Sequence, residues 1–337
     1  MAILKRLSKI LLLSLLLFQT SCYSDFEPDI DSTPVVCINA NAIVGEPLVI
    51  DVTRTWRWSE GDPDEDIDIV LKDADVTLYV NDKEYEKVEF STWEHHDPMN
   101  PWNATKSGFK STYIPACGDK IRIHVHSSVY GDAEGEVLVP DVVPIVGYDV
   151  SKYLERSEFS GGQQYDGNIR LLIKFEDPAS LQNYYYFKCT SRDGRNDGSV
   201  FWIDYDAEPL FTEHVSSLET IVSETSGYTL FTDRMINGET YSIHIDLKDF
   251  RYRELNSDVP AEPGYIEMTL NSISQSYYKH VISVWENNDG VNGILGNVGF
   301  ADPVWEFSNV STKAGVISAT APSKKLKIYF KDLVTAP

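Results

Sequence analysis

Carboxylates, imidazoles and indoles are the side chains of this sequence with the chemistry to hold an ion or a ligand. Asp62, Asp64 and Asp66 alternate within the acidic run 60–68. Carboxylates at i, i+2 and i+4 of a loop can converge on Ca²⁺. The EF-hand pattern also wants Gly at its sixth position and Glu at its twelfth, where this chain has Ile67 and Asp73. The run therefore reads either as a solvated loop or as a weak calcium site. His124 and His126 stand two apart on a strand pattern, so both imidazoles share a face and can meet one ion. His95, His96 and Asp97 join them only if their segment folds over that strand. Trp93, Met99, Trp102 and Phe109 fall in segment 92–111, which reads as a loop. Aromatic loops on a rigid scaffold often make binding contacts. With Trp56 and Trp58 they can form a platform for sugar rings or a protein partner; the other reading is that they cap a core. No Ser/His/Asp order, nucleophile elbow, phosphate loop or paired-carboxylate motif is present, so no catalytic residue and no cofactor is indicated.

Composition bounds the rest. The 337 residues carry 52 Asp+Glu against 29 Lys+Arg, a formal charge of −23. That sign disfavours nucleic acid and electrostatic docking on an anionic membrane. The 42% hydrophobic content is enough to build cores and excludes a disordered chain. Four cysteines are too few for a disulfide-dense scaffold.

The N-terminus supplies an address. Lys5, Arg6 and Lys9 precede an apolar run, 10–18, broken only by Ser14. The run is short of the roughly 20 residues a membrane span needs. Thr20 and Ser21 then lead to Cys22, a pattern that resembles a bacterial lipobox. It implies a signal peptide at 1–21, cleavage before Cys22, and a lipid anchor on the Cys22 sulfur; the alternative is an ordinary secretory signal. Cleavage removes three cations and takes the charge from −23 to −26. The tether 22–33 is acidic, with Asp25, Glu27, Asp29 and Asp31, which resembles the surface-export signal of Bacteroidota lipoproteins. Cys37, Cys117 and Cys189 remain, an odd number. Cys37 and Cys117 both sit on or beside strand patterns and can pair if their Cα atoms come within about 7 Å. Cys189, among tyrosines, reads as a small buried hydrophobe.

The elements that must position these side chains are mostly strands. Val76, Leu78 and Val80 alternate with polar residues, as do Ile121, Ile123 and Val125. Period two with one apolar face means half-buried antiparallel strands. About seven of them over 34–140 predict an N-terminal immunoglobulin-like β-sandwich. Pro140 and Pro144 mark a boundary. Strand patterns at 168–176, 183–190, 199–205, 240–247, 265–270 and 325–330 predict a second, larger β-sandwich over 141–337. One helix is predicted near 275–287, with Ser274 as a cap and Tyr277, Tyr278, Val281, Ile282 and Trp285 as its apolar face.

The order of these pieces resembles a family of Bacteroidota lipoproteins, domain of unknown function 4249. The resemblance is carried by Cys22 before the strand at Pro34-Val35-Val36, then Tyr113-Ile114-Pro115-Ala116-Cys117-Gly118-Asp119 before Ile121. It continues through the run 230–238 before Thr240-Tyr241-Ser242-Ile243, and through 270–274 before Tyr277-Tyr278. It ends with Asp302-Pro303-Val304-Trp305 ahead of Ser308-Asn309-Val310 and Ala314-Gly315-Val316-Ile317. One departure is that the glycine-rich stretch after Asn309-Val310 shrinks to Lys313-Ala314-Gly315. The resemblance implies an outer-membrane lipoprotein, often encoded beside a TonB-dependent transporter, without established catalytic residues. The expected function is a non-catalytic accessory or ligand-binding partner of such a nutrient transporter. The alternatives are a surface glycan-binding or glycan-cleaving protein and an adhesin-like structural subunit.

Overall fold

Strand periodicity turns into three sheets built around two cores. The computed structural model describes residues 33–56, 68–97, 100–159, 162–179, 181–192, 200–204, 208–212, 229–255, 264–288 and 305–334. Cys22, Trp58, Asp62, Asp64 and Asp66 lie outside the described residues, as do 1–32 as a whole.

In β1 (Val36–Ile43), Val36, Ile38, Ala40 and Ala42 are buried, and Cys37, Asn39 and Asn41 take the opposite face. β2 (Val49–Arg54) pairs antiparallel with it and sends Ile50 and Val52 inward. β3 (Asp75–Val80) and β4 (Lys83–Val88) are joined by Asn81 and Asp82, with φ of 51° and 63°. That left-handed pair matches the twist of a two-residue hairpin.

Segment 92–111, expected as a loop, is instead largely a hairpin of β5 (Phe90–Asp97) and β6 (Asn100–Lys110). Its inward rung is Phe90 opposite Phe109, edge to face with centroids 5.5 Å apart. β7 (Lys120–Ser127) lies between β3 and β8 (Gly131–Leu138) and completes a four-stranded sheet, β4-β3-β7-β8. Val76, Leu78, Ile121, Ile123, Val125 and Val137 of that sheet pack on the inward residues of β1, β2 and β6.

The second core is built the same way. β9 (Ile145–Lys152) and β10 (Glu155–Phe159) both pair with the long β11 (Gly162–Glu176). β12 (Tyr184–Arg192), β13 (Val200–Asp204) and β14 (Leu230–Thr232) follow, and then β15 (Thr240–Leu255), which pairs with β11 over its length. β9, β10, β11, β15 and β13 form a five-stranded sheet. β16 (Tyr265–Ile273) leads into the helix α1 (Gln275–Asn288), whose entry is capped by Ser274 Oγ accepting from the Tyr277 N–H at 3.2 Å. β17 (Gly315–Pro322) and β18 (Leu326–Tyr329) close the chain's strands.

The third sheet joins the two cores. Its nine strands run β14-β12-β16-β17-β1-β2-β6-β5, with β18 also on β16. β17 lies parallel to β1, with Ile317 opposite Ala40 and Ala319 opposite Ala42. On its other side β17 meets β16, with Ala321 opposite Ser272. Residues directly opposite share a face. One continuous face therefore carries Ile266, Met268 and Leu270 into the second core and Ile317, Ala319, Ile38 and Ala40 into the first. The architecture is mainly β, two antiparallel sandwiches in which a single sheet serves as a layer of both.

The chain accordingly does not divide cleanly near Pro140. Residues 34–337 form one compact unit. Residues 308–322 return to the first core before Ile328, Phe330 and Leu333 complete the second. Val310 bridges Gly135, Ser311 N–H donates to the Glu134 carbonyl at 2.8 Å, and Thr312 Oγ1 donates to the Val36 carbonyl at 2.7 Å. Asn309 fastens this return through Nδ2 to the Glu136 and Ile317 carbonyls and through Oδ1 to the Ile317 N–H. The Asn-Val pair of the sequence pattern is thus a structural fastener.

Candidate functional site

The face of the nine-stranded sheet turned away from both cores carries a mixed polar and apolar groove. The alternation that buries Ile38 and Ala40 places Asn39 and Asn41 on this face, beside Asp51 of β2 and Val316 and Ser318 of β17. α1 lies along it and contributes Tyr277, His280 and Val281. The groove has a volume of about 450 Å³, and Ala40 and Val49 complete its walls.

Several groups here are already bonded, which fixes the geometry of the others. Asn39 Oδ1 accepts from the Val316 N–H at 3.0 Å, and Asn41 Oδ1 accepts from Thr320 Oγ1 at 3.1 Å and Ser318 Oγ at 3.3 Å. Locking the Asn41 oxygen orients its Nδ2 donors, which have no acceptor among the described residues. The ring of His280 is fixed by Nδ1 at 3.0 Å from the Phe307 carbonyl. A carbonyl only accepts, so Nδ1 carries the proton, and in the neutral ring Nε2 is left as an acceptor. The Tyr277 hydroxyl has no hydrogen-bond partner among the described residues either, and burial, with Tyr186 nearby, raises its pKa above the usual tyrosine value. Asp51 is solvent-accessible, but partial desolvation by the groove holds its carboxyl above the ordinary range, with the Lys106 charge opposing.

Trp93 stands at the Asp51 end. A Cβ added at Gly108 would meet Asp51 Oδ1 at 3.2 Å and the Trp93 ring at 3.6 Å. A side chain at position 108 would occupy the space between the carboxylate and the indole. Lys110 Nζ lies 5.2 Å from the Trp93 ring centroid.

The other aromatics predicted for a platform separate. Phe109 is 1% exposed and belongs to the first core, on the opposite side of β6 from Gly108. It is a packing residue, because the parity of β6 turns it inward against Phe90. Trp102 lies on β6, and Trp56, 47% exposed, follows β2. Trp58 and the calcium candidate Asp62, Asp64 and Asp66 fall outside the described residues. Cys37 and Cys117 are free thiols, not a disulfide. Cys37 faces outward on β1 with Thr53 and Asn39 as hydrogen-bond partners, whereas Cys117 is exposed in the turn before β7. His126 Nδ1 contacts Asp132 at 2.6 Å, and His95 and His96 lie on β5. Among the described residues, no three His, Cys, Asp or Glu side chains gather as a metal site would require. Sequence reasoning missed Asn39, Asn41, Asp51 and His280, and placed Tyr277 on the apolar face of the helix rather than in a site. For Asn39, Asn41 and Asp51 the only signal was the polar parity of β1 and β2.

A second cavity, about 470 Å³, lies where the two cores meet and is lined by Val139, Pro140, Asn183, Tyr184, Ser272 and Asn309 among others. Asn183 Nδ2 donates to Asp177 and to the Pro178 and Leu181 carbonyls, and Asn309 holds the return segment. These groups tie the joint together, which leaves the outer-face groove as the better candidate.

Fold and groove together define a mainly β, double-sandwich protein with one helix laid on the outer face of its shared sheet. Within that class, the chain belongs to the family described as Domain of unknown function (DUF4249), which it matches over residues 23–325. No curated protein and no solved structure matches it. Among the described residues no helix is long and apolar enough to cross a membrane.

Proposed function

We propose that this protein is an outer-membrane lipoprotein, anchored through a lipid on Cys22, whose body binds a small ligand without transforming it. Its role is that of an accessory partner to a TonB-dependent nutrient transporter. The observation that carries the binding reading is the outer-face groove, where Asn41 and His280 are each held by one side of the side chain, and where Asn41 Nδ2, the Tyr277 hydroxyl and His280 Nε2 have no partner among the described residues. Unpaired polar groups cost free energy where they are partly desolvated, and a ligand that pairs them recovers it. The anchor reading rests on the sequence of residues 1–22. Several acyl chains, at about 0.8 kcal/mol per buried CH₂, hold a strongly acidic protein at a bilayer that its charge alone would repel.

Two measurements test this. Metabolic labelling with a radioactive fatty acid marks the wild-type chain and not Cys22→Ala, which leaves the membrane fraction. Affinity capture of the lipidated protein from detergent-solubilised membranes recovers an outer-membrane transporter. An unlabelled wild-type chain removes the anchor, and capture without any transporter removes the partnership.

A further inference from the structure

The groove's chemistry narrows the ligand, on the reading that it is a binding site at all. We propose that it takes a neutral carbohydrate, with C–H faces against Val49, Val281 and Val316, and hydroxyls toward Asp51, Asn41, Tyr277 and His280.

Three features of the site lead to this class. First, apolar and hydrogen-bonding groups alternate around one cavity of about 450 Å³, rather than segregating into a greasy pocket and a charged patch. A sugar ring is the small molecule with that same alternation, a C–H face with a hydroxyl rim. Second, both hydrogen-bond roles are present. Asp51 and His280 Nε2 accept, Asn41 Nδ2 donates, and Tyr277 does either, so a hydroxyl group can donate and accept at once. Third, the charges argue against ions. An anion would face Asp51 on a chain of net charge −23. A cation would find one carboxylate, already opposed by Lys106, with Lys110 lying over Trp93. An extended peptide is disfavoured as well, because the strands of the floor, β17, β1 and β2, have both neighbours in place. No row of free backbone groups is left for a peptide to pair with.

The groove's neighbours explain its shape. Gly108 keeps the gap between Asp51 and Trp93 open, and Phe307 fixes the His280 ring. The site is held by elements of the shared sheet and α1, so binding needs little rearrangement.

The test uses the full-length lipidated protein in detergent. Isothermal titration is run with neutral oligosaccharides of gluco, manno, galacto and xylo configuration, with spermine and citrate as charged controls. The expected result is saturable binding of at least one neutral sugar, weakened tenfold or more in Asp51→Ala and in Tyr277→Phe. Tyr277→Phe removes one oxygen only and keeps the fold, which far-UV circular dichroism checks. Sugar binding that ignores both Asp51→Ala and Tyr277→Phe overturns the assignment. Binding of spermine alone and lost in Asp51→Ala, or of citrate alone and strengthened in Asp51→Ala, also overturns it but leaves the groove as a ligand site. Absence of binding by every compound overturns both the carbohydrate and the binding reading.

Discussion

The Val316 N–H donates to Oδ1 of Asn39 at 3.0 Å, although the two residues are 277 positions apart. This bond sits one residue beyond the rung where Gly315 faces Ile38, the first of the parallel β17–β1 ladder. The ladder makes one sheet out of two and gives the outer groove its floor.

Gly315 should be the most sensitive glycine at this joint. Its φ is +84°, and any Cβ would run into the Ile38 backbone. Gly118 has a similar φ of +81° but open space around it. Gly315→Ala is expected to cost about 3 kcal/mol or more, from left-handed strain plus a backbone clash. Gly118→Ala should cost only about 1 to 2 kcal/mol, from the strain alone. Urea denaturation of both variants checks this, and equal losses would refute the close approach.

Phe109 separates packing from binding. It is 1% exposed and stacked edge to face on Phe90. Phe109→Ala should therefore lower stability by about 3–5 kcal/mol. A variant of unchanged melting temperature would return Phe109 to the surface.

Acid stability should depend on Asp246. Arg170 holds it through two bonds, Nε to Oδ1 at 2.6 Å and a terminal nitrogen to Oδ2 at 2.5 Å. The Arg170 hydrogen bonds lower its pKa, burial opposes them, and Arg170, His244 and Lys152 add charge attraction. A carboxyl whose pKa is lowered on folding binds more protons when unfolded. Its stabilisation is present in full above the unfolded value, about pH 4, and is lost as pH falls through the lower folded value. Asp246→Asn should cost about 2 kcal/mol near neutral pH, and the gap from wild type should close in acid. Chemical denaturation across that pH range measures it; a gap independent of pH would exclude the linkage.

The thiols should react in a set order. Cys117 is exposed and should be alkylated first. Cys37 is slower, since burial raises its pKa against the pull of Thr53 and Asn39. Cys189 is half-buried, but desolvation pushes its thiol up to about 12, so it should react last. Mass spectrometry of non-reduced protein after timed maleimide labelling follows this. Finding Cys37 and Cys117 protected together in denaturant, until a reductant is added, would reinstate a disulfide.

Much of the fold was legible because strand burial has period two. Val36, Ile38 and Ala40 against Cys37, Asn39 and Asn41 declare two faces without any knowledge of the partner strand. The Ser274 cap and the apolar face of α1 were legible for the same local reason. The hairpin at 90–110 was not, because Pro98, Pro101, Asn100 and Asn103 interrupt its alternation, and Phe109 was misplaced with it. The groove was invisible for another reason. Its side chains come from β1, β2, β17 and α1, and no local pattern says which polar faces will meet.

By itself the sequence determined the family, the mainly β class, the helix and the lipobox pattern at Cys22, since each is written in contiguous residues. Only tertiary structure decided that β17 crosses back to β1, that two sandwiches share one sheet, and that Asn41, Asp51, Tyr277 and His280 face one cavity. Parity assigns a residue to a face. Which faces become neighbours depends on long-range pairing, and that is settled when buried surface and backbone hydrogen bonds are satisfied over the whole chain at once.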